Sequence, residues 1–381
     1  MNENNLENIC NANNLYKAFG EAKKEVDWKE SVQRYEINIL SNISKTQDEI
    51  RNETYKTKPM VEFELHERGR VRCIKSQHIS DRVVQRSLND NVLIPRIRKY
   101  LIYDNGASLK QKGTDFARRR FRVHLQKAYK KYGGKAYILF IDFSKYFDNI
   151  RHEEALRQLK PFLNKKEFAF VAKCFKDFEV DVSDMSDEEF AYCMDVVFNA
   201  LDYVPQTQGE KFMRKSVGIG NQISQVTGVL FPHEIDNFCK IVLALEFYGR
   251  FMDDTYIILD DLEQLKAIYE ILKEKYKKLG IFVNEKKTHI AKLTDWNTFL
   301  KINHKILPSG RVIRKIANDT IRRERKRLKQ RKKMCDEGKF TKEKALECYK
   351  SWRGSYEIYD SGYKLHRLDK LFEELFAIKV K

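Results

Sequence analysis

The sequence is short of proline and of paired cysteines. Only 6 of its 381 residues are proline, while aromatic residues make up 12%, which is typical of a folded chain and not of a disordered one. Its seven cysteines stand apart and form no C-x-x-C pair: Cys10, Cys73, Cys174, Cys193, Cys239, Cys335 and Cys348. A zinc site of the paired-cysteine kind is therefore not expected. An odd number of scattered thiols fits a reducing cytoplasm.

Long apolar runs are also missing. No stretch approaches the ~20 apolar residues that a membrane-spanning helix needs. Residues 1–14 are polar and rich in asparagine, which is unlike a signal peptide. We therefore expect a cytoplasmic protein without a membrane partner.

Acidic residues are outnumbered by basic ones. The chain has 73 lysines and arginines against 55 aspartates and glutamates, which gives a net charge of +18. This excess predicts a polyanionic partner that is bound with strong salt dependence. Non-specific adhesion and an acidic protein partner are the alternatives. The length of 381 residues is sufficient for two or three subdomains.

Two adjacent carboxylates stand between two largely apolar segments. Asp253 and Asp254 follow Tyr248–Met252 and precede the run Thr255–Leu259, in which β-branched residues recur. This pattern predicts a hairpin that presents two acids at its tip, an arrangement that suits nucleotidyl transfer. The alternative is an ordinary turn, because Asp side chains often bond their own backbone in turns.

A third carboxylate follows a short apolar run. Tyr137–Ile141 is continuously apolar, which predicts a strand that is buried on both faces. Asp142 comes directly after it, and a carboxylate in that position is costly unless it is paired or holds a metal. In the alternative, Asp142 or Asp148 caps the helix that follows.

The acidic segments together indicate a metal centre. Phosphoryl transfer by two Mg²⁺ ions needs carboxylates that bridge metals about 3.5–4 Å apart, and Mg²⁺ prefers oxygen ligands. We predict that Asp142, Asp253 and Asp254 are the catalytic carboxylates. They would bind two Mg²⁺ ions, with Mn²⁺ as the alternative metal.

With these segments in place, the chain resembles reverse transcriptases over roughly residues 55–310. The segments that carry the resemblance follow the family's order: Gly69–Ile74 and Asp81–Gln85 of the fingers, the palm motifs Asp142–Asp148 and Ile219–Gln225, the catalytic hairpin Arg250–Asp254, the next motif Leu279–Thr288, and Phe299-Leu300 of the primer grip. The resemblance implies an α+β right-hand polymerase fold with fingers, a palm of antiparallel sheet and packed helices, and a helical thumb. It also implies RNA-templated DNA synthesis by a bacterial or phage-encoded enzyme.

Two positions depart from the family's usual pattern. Phe251 stands where the catalytic hairpin usually has tyrosine, so that only a hydroxyl is lost. Lys301 stands where the primer grip usually has glycine, which makes that backbone less permissive.

The second palm motif indicates which group within the family the chain resembles. Ile219 stands where most of the family has glutamine, and Gln225 stands where it has proline. This pattern resembles the reverse transcriptases of diversity-generating retroelements, which copy a template RNA with errors at adenines. An aliphatic residue near the incoming nucleotide removes a hydrogen-bonding group and would loosen base selection. Some phage-defence reverse transcriptases share the pattern, so that class is the alternative.

The resemblance assigns roles to further residues. Arg70 and Arg72 match positions that hold the nucleotide triphosphate, since a guanidinium binds phosphate oxygens bidentately; exposed edge charges are the alternative. Phe147 matches the steric gate against a 2′-hydroxyl, or else it is a core aromatic. Lys287 matches a lysine that protonates the leaving pyrophosphate, or else it lies on a solvated basic face.

The remaining predicted substrate contacts lie in the second palm motif. Ile219, Gly220 and Gln225 are expected beside the incoming nucleotide. Gly218 and Gly220 permit close approach of the backbone to a ligand. An ordinary turn is the alternative for both glycines.

The chain divides into four predicted regions. They are a helical N-terminal extension at 1–58, fingers at 59–135, a palm at 136–310 with an insertion at 163–216, and a helical thumb at 311–381. The extension would grip template RNA or simply cover the fingers. The acidic part of the insertion, Asp177–Glu189, would bind a protein or form a solvated helix pair.

Helical patterns in these regions carry smaller predictions. Ala117–Lys131 is a basic helix whose Phe121 and Tyr129 stack on bases or face the core. Asp261 is expected to cap the helix after it. The basic run Arg311–Lys333 would follow a duplex backbone or form a solvated helix. The amphipathic stretch at 365–376 is expected to pack within the thumb.

We therefore expect an RNA-directed DNA polymerase whose partners are a structured template RNA, dNTPs, the cDNA product and, as a candidate, an accessory protein. A phage-defence or retron-like enzyme that makes a dedicated cDNA is one alternative. A non-catalytic, maturase-like RNA-binding protein is another, and the intact acidic residues argue against it. No RNase H, integrase or endonuclease pattern follows the thumb, so other factors are expected to process the product.

Overall fold

The structure is a computed structural model that describes residues 6–67, 70–176, 178–181, 183, 186, 188, 212–218 and 221–380. Its strands are β1 (Val61–Glu67), β2 (Arg70–Ser76), β3 (Tyr137–Ile141), β4 (Phe143–Ser144), β5 (Val180–Asp181), β6 (Phe212–Met213), β7 (Tyr248–Phe251), β8 (Asp254–Leu259), β9 (Phe282–Val283), β10 (His289–Lys292), β11 (Asn297–Phe299), β12 (Ile302–Ile306) and β13 (Val312–Ile316).

The described residues also form α-helices. They are α1 (Glu7–Cys10), α2 (Ala12–Ala22), α3 (Glu30–Ile37), α4 (Ile39–Arg51), α5 (Ile79–Leu88), α6 (Ile94–Ile97), α7 (Thr114–Tyr132), α8 (His152–Leu159), α9 (Lys165–Lys176), α10 (Gln222–Leu230), α11 (His233–Asn237), α12 (Leu262–Lys278), α13 (Asn318–Asp336), α14 (Lys342–Gly354) and α15 (Gly362–Phe376).

The N-terminal segment is helical, as its sequence predicts. In α2, the residues Leu15, Ala18 and Phe19 recur at helical spacing, and all three are buried. They belong to a core that also includes Val83 and Val84 of α5. In the sequence, the antiparallel hairpin of β1 and β2 lies between α4 and α5, and Val61 pairs with Ser76.

A four-stranded antiparallel sheet in the order β10-β3-β8-β7 forms the centre of the fold. Side chains of β3 alternate between two cores: Leu139 and Ile141 pack in one, while Ile138 and Phe140 pack in the other. This alternation follows from the period of two in a strand. The prediction that the strand is buried on both faces is confirmed.

Helix α7 covers one face of this sheet. Phe121 is fully buried and packs against Phe140, Tyr256 and Phe299 at centroid distances of 5.9, 4.7 and 4.9 Å. Of the two roles open for Phe121, the core position is therefore the correct one. Tyr129 is only partly buried and packs at the edge of the same core.

The C-terminal region combines a small sheet with three helices. The strands β11, β12 and β13 form an antiparallel sheet. The helical prediction for 311–381 is therefore wrong over Val312–Ile316, which pairs with β12 and buries Val312 and Ile316 at its two ends. The prediction for 365–376 is confirmed, since the core of α13–α15 includes Leu365, Leu368, Phe372 and Phe376.

The insertion is described only in part. Helix α9 is followed by the short strand β5, which pairs with β6 so that Val180 lies opposite Met213. Residues 189–211 and several residues of the acidic stretch lie outside the described residues. The two alternatives for the acidic stretch remain predictions. Among the described residues, none of the helices is both long and apolar enough to cross a membrane.

Candidate active site

The predicted acidic hairpin is formed by β7 and β8. Phe251 pairs with Asp254 at the end of the ladder, so that Met252 and Asp253 form the turn. Met252 has a φ of +54°, which is unusual for a residue with a side chain. Such a conformation persists only where the surrounding structure holds it.

A buried ion pair holds this turn. Arg250 and Asp236 are both fully buried, and the guanidinium donates from Nε and Nη2 to the Asp236 carboxylate at 2.7–3.0 Å. Nη2 also donates to the carbonyl of Val229 at 2.7 Å, and Nη1 donates to the carbonyl of Met252 at 3.1 Å. The arginine thus joins the turn to helices α10 and α11.

The sheet brings Asp142 to the hairpin. Ile141 of β3 lies opposite Thr255 of β8, so Asp142 and Asp254 are the next pair in this antiparallel register. The main chain of Asp142 is fixed from the other side: its carbonyl accepts from the Asn284 N–H at 2.8 Å, and its N–H donates to Thr288 Oγ1 at 3.3 Å. The three carboxylates therefore lie at one end of the sheet.

Lys287 lies in the same loop and faces Asp142. Its Nζ donates to both carboxylate oxygens, at 2.9 and 3.0 Å. The lysine side chain is 48% exposed, whereas that of Asp142 is 16% exposed. The predicted general acid is thus beside the predicted catalytic carboxylates, and in this conformation it neutralises one of them.

The electrostatics of the site favour a bound cation. Burial, together with the charges of Asp253 and Asp142, raises the pKa of Asp254 to about 7, and Lys287 opposes the rise only in part. Among the described residues, no group of three or more His, Cys, Asp and Glu is arranged to hold a metal as the side chains stand. In this conformation Lys287 contacts both oxygens of Asp142. Hard oxygen donors that repel one another are nevertheless the donor set that Mg²⁺ prefers.

The predicted steric gate lies where α10 passes the loop after β4. Phe147 is partly buried and packs edge-on against Tyr146 at a centroid distance of 5.4 Å. The Tyr146 hydroxyl donates to the carbonyl of Gly228 at 2.6 Å, and the carbonyl of Phe147 accepts from the Val217 N–H at 3.2 Å. Asp148 does not cap α8, which begins after Arg151 without a side-chain cap.

The second palm motif is only partly described. Asn221 is the N-terminal cap residue of α10, and Gln225 on that helix is partly buried. Ile219 and Gly220 lie outside the described residues. Gly218 has a φ of +21°, and a Cβ atom built on it would lie 3.0 Å from Asn221 Nδ2 and 3.5 Å from the ring of Phe178. The substrate contacts predicted for this motif remain predictions.

Arg70 and Arg72 lie on β2, where they are paired with Glu67 and Leu65 of β1. The structure describes the backbone of this strand there, and their phosphate-binding role remains a prediction. Asp261 accepts from the Gln264 N–H at 2.9 Å, so its predicted role as the cap of α12 is confirmed.

Sequence reasoning missed three residues that hold the site. Asp236 lies in a segment without a recognisable pattern. Asn284 lies within the motif Leu279–Thr288, but nothing local indicates that its N–H bonds the carbonyl of Asp142. Gly228 offers a signal, because glycine inside a helix is unfavourable and often has a packing reason.

A known protein family matches the central part of the chain. A family model described as "Reverse transcriptase (RNA-dependent DNA polymerase)" matches residues 58–302. None of the curated proteins compared with the chain has a matching sequence.

Solved telomerase structures are similar to part of the chain. Apo telomerase from Candida tropicalis, truncated from the C-terminal domain, matches with a TM-score of 0.45 and 14% identity, over 68% of this chain and 56% of that one. Telomerase from Candida albicans in complex with a TWJ fragment of telomeric RNA matches with a TM-score of 0.43 and 13% identity, over 68% and 46%. The matched region thus spans about half of each telomerase chain.

Proposed function

Because this chain belongs to the reverse transcriptase (RNA-dependent DNA polymerase) family, we propose that it extends a primer 3′-hydroxyl with dNTPs on an RNA template. The observation that carries this proposal is the register of β3 against β8, which places Asp142 beside Asp254 and the turn residue Asp253. Burial, together with the charges of Asp253 and Asp142, raises the pKa of Asp254 to about 7.

Asp142, Asp253 and Asp254 would hold two Mg²⁺ ions, or Mn²⁺ in their place. When bound, these ions would lower the pKa of the attacking hydroxyl and stabilise the leaving pyrophosphate. The residues contribute positioning: Thr288 and Asn284 fix the main chain of Asp142, and Arg250 fixes the turn that carries Asp253. Preorganised charge of this kind is the main catalytic contribution of such a site.

Lys287 would have two roles, one beside Asp142 and one at an incoming triphosphate. Beside Asp142 it is a counter-ion for a carboxylate that has two acidic neighbours, Asp253 and Asp254. Because its side chain is 48% exposed and flexible, it can leave Asp142 and reach an incoming triphosphate. There its ammonium would donate a proton to the leaving pyrophosphate as a general acid.

Substrate selection is assigned to three groups. Arg70 and Arg72 would bind the triphosphate through paired N–H donors. The ring of Phe147 would stand below the sugar and exclude a 2′-hydroxyl, which makes the product DNA. Ile219, Gly220 and Gln225 would contact the incoming nucleotide, and the aliphatic Ile219 would reduce base selection.

Primer extension on a defined RNA template tests the chemistry. Asp253→Asn keeps the size of the side chain but removes its charge, and it should abolish synthesis. Asp260→Asn is a matched control, because Asp260 is exposed and lies outside the turn; it should extend primers as the wild type does. If Asp253→Asn still synthesises DNA, this site does not catalyse the reaction. Bound RNA without any synthesis by the wild type would favour the maturase-like alternative.

The biological role proposed from Ile219 and Gln225 is copying within a diversity-generating retroelement. Sequencing of RNA and cDNA that co-purify with the protein from its native locus tests it. A cDNA of one neighbouring RNA, with substitutions concentrated opposite template adenines, would support diversification. A faithful or repetitive cDNA would instead support the phage-defence or retron-like role.

A further inference from the structure

Helix α10 has a glycine in its interior, at a buried position. Gly228 lies two residues before the end of Gln222–Leu230 and is flanked by the buried residues Thr227 and Val229. Glycine in a helix interior is about 1 kcal/mol less favourable than alanine. Alanine would stabilise the helix more. Glycine at this position therefore indicates that the methyl group of an alanine would collide with a neighbouring side chain.

The contact is with the predicted gate. A Cβ atom built on Gly228 would lie 2.9 Å from Cε1 and 3.2 Å from Cζ of Phe147, and 3.6 Å from Cε1 of Tyr146. The first distance is shorter than carbon atoms tolerate, so either the ring or the helix must shift. The helix itself is tied down, because its Gly228 carbonyl accepts from Tyr146 and its Val229 carbonyl accepts from Arg250.

We propose that Gly228 is a specificity-determining positioning residue: by leaving room for the ring of Phe147, it sets how deeply this ring enters the nucleotide site. This inference rests on the proposed function, in which Phe147 excludes ribonucleotides. The inference adds that Gly228 determines the position of the Phe147 ring. Gly228 itself does not touch the substrate.

The direction of the effect follows from the packing around the ring. To restore ordinary contact at 3.4 Å or more, the ring must move by at least about 0.5 Å from a methyl group at 2.9 Å. Tyr146 packs on it edge-on and is itself buried. The ring of Phe147 is partly exposed, so the open side is the direction in which it can move. A methyl group at 228 therefore narrows the space for the sugar.

The test compares Gly228→Ala with Gly20→Ala in primer extension. Gly20 is also inside a helix, but a Cβ there would meet nothing within 4 Å. A single carbon in a packed site changes selectivity by about tenfold or more. We expect Gly228→Ala to raise the KM for dNTPs and to increase the ratio of dNTP to rNTP kcat/KM by about tenfold. Gly20→Ala should change neither quantity.

A second pair of variants separates positioning from a general loss of stability. In a Phe147→Ala background, which should itself admit ribonucleotides, Gly228→Ala should no longer change the ratio, because the ring is absent. If Gly228→Ala fails to fold, Tyr146→Phe decides the question. It removes only the bond to the Gly228 carbonyl, and we expect it to lower the sugar discrimination several-fold.

The outcomes are distinguishable. A wild-type protein that makes no DNA would refute the proposed function and this inference with it. A wild-type protein that makes DNA, with an unchanged sugar ratio in folded Gly228→Ala, would refute only the role of Gly228. An equal effect of Gly228→Ala with and without the Phe147 ring would refute it as well, as would an unchanged ratio in Tyr146→Phe.

Discussion

The ion pair between Arg250 and Asp236 should be indispensable for synthesis, because it holds the turn that carries Asp253. The guanidinium reaches three acceptors at once: the Asp236 carboxylate and the carbonyls of Val229 and Met252. Met252 has a φ of +54°, and a non-glycine residue in that region costs about 1–3 kcal/mol. The contact from Arg250 ties this strained residue to the core.

These contacts give the free energy of unfolding that variants of Arg250 should lose. Arg250→Lys keeps the charge, but one ammonium cannot reach all three acceptors. The loss of the two carbonyl contacts, at about 1.5–3 kcal/mol each for a charged donor, amounts to about 3–6 kcal/mol. Removing one partner of a buried pair costs about 3–5 kcal/mol. Both figures are large against the roughly 5–15 kcal/mol by which a domain is stable, so Arg250→Met and Asp236→Asn should be severely destabilised.

One combined variant separates stability from positioning. Tyr248 also donates its hydroxyl to Asp236, so the variant is Y248F/D236L/R250M, which replaces the whole buried polar group with apolar side chains. Such replacements are often neutral or stabilising for the ion pair itself. The carbonyls of Val229 and Met252 still lose their donor, so we expect a thermal midpoint between those of Arg250→Met and the wild type. The turn would still lose its tie to the core. Because a misplacement of about 1 Å can cost about 10²-fold in rate, single-turnover primer extension should fall at least a hundredfold.

A folded Y248F/D236L/R250M protein that extends primers at the wild-type rate would refute this reasoning. So would Arg250→Lys with wild-type stability and rate. If the rate falls only in proportion to the amount of folded protein, Arg250 stabilises the fold but does not position the turn for catalysis.

Three further predictions concern charge. Burial lowers the pKa of His152 to about 4; since the unfolded chain binds this proton near pH 6.5, stability should fall by about 3 kcal/mol as the pH drops from 6.5 to 4. Urea unfolding of His152→Gln should show a weaker dependence, and an equal one would contradict the assignment. Lys287 competes with cations for Asp142, so Lys287→Met should bind Mn²⁺ about two- to fivefold more tightly in spectroscopic titrations without nucleotide, a modest gain because the lysine is half exposed. Weaker or unchanged binding would contradict the competition. In the wild type, Mn²⁺ affinity should decrease below about pH 7, where Asp254 is protonated.

Much of the candidate site could be predicted because its signals are local. The apolar run before Asp142 predicts a buried strand, and the two apolar runs around Asp253 and Asp254 predict a hairpin; both are present. The cap at Asp261 is equally local, since its side chain bonds an N–H three residues later. The error at Val312–Ile316 arose because basic residues dominate this part of the sequence, and only the pairing with β12 makes the segment a strand.

The sequence by itself determined the elements and the acids that they carry, because helix and strand periods, caps and turns depend on neighbouring residues. Only the tertiary structure decided what holds those acids in place. Lys287 contacts Asp142 across 145 residues, Tyr146 contacts Gly228 across 82, and Arg250 contacts Asp236 from a different element. Each of these contacts depends on the register and packing of elements that are distant in the chain. No pattern within a short window contains that information.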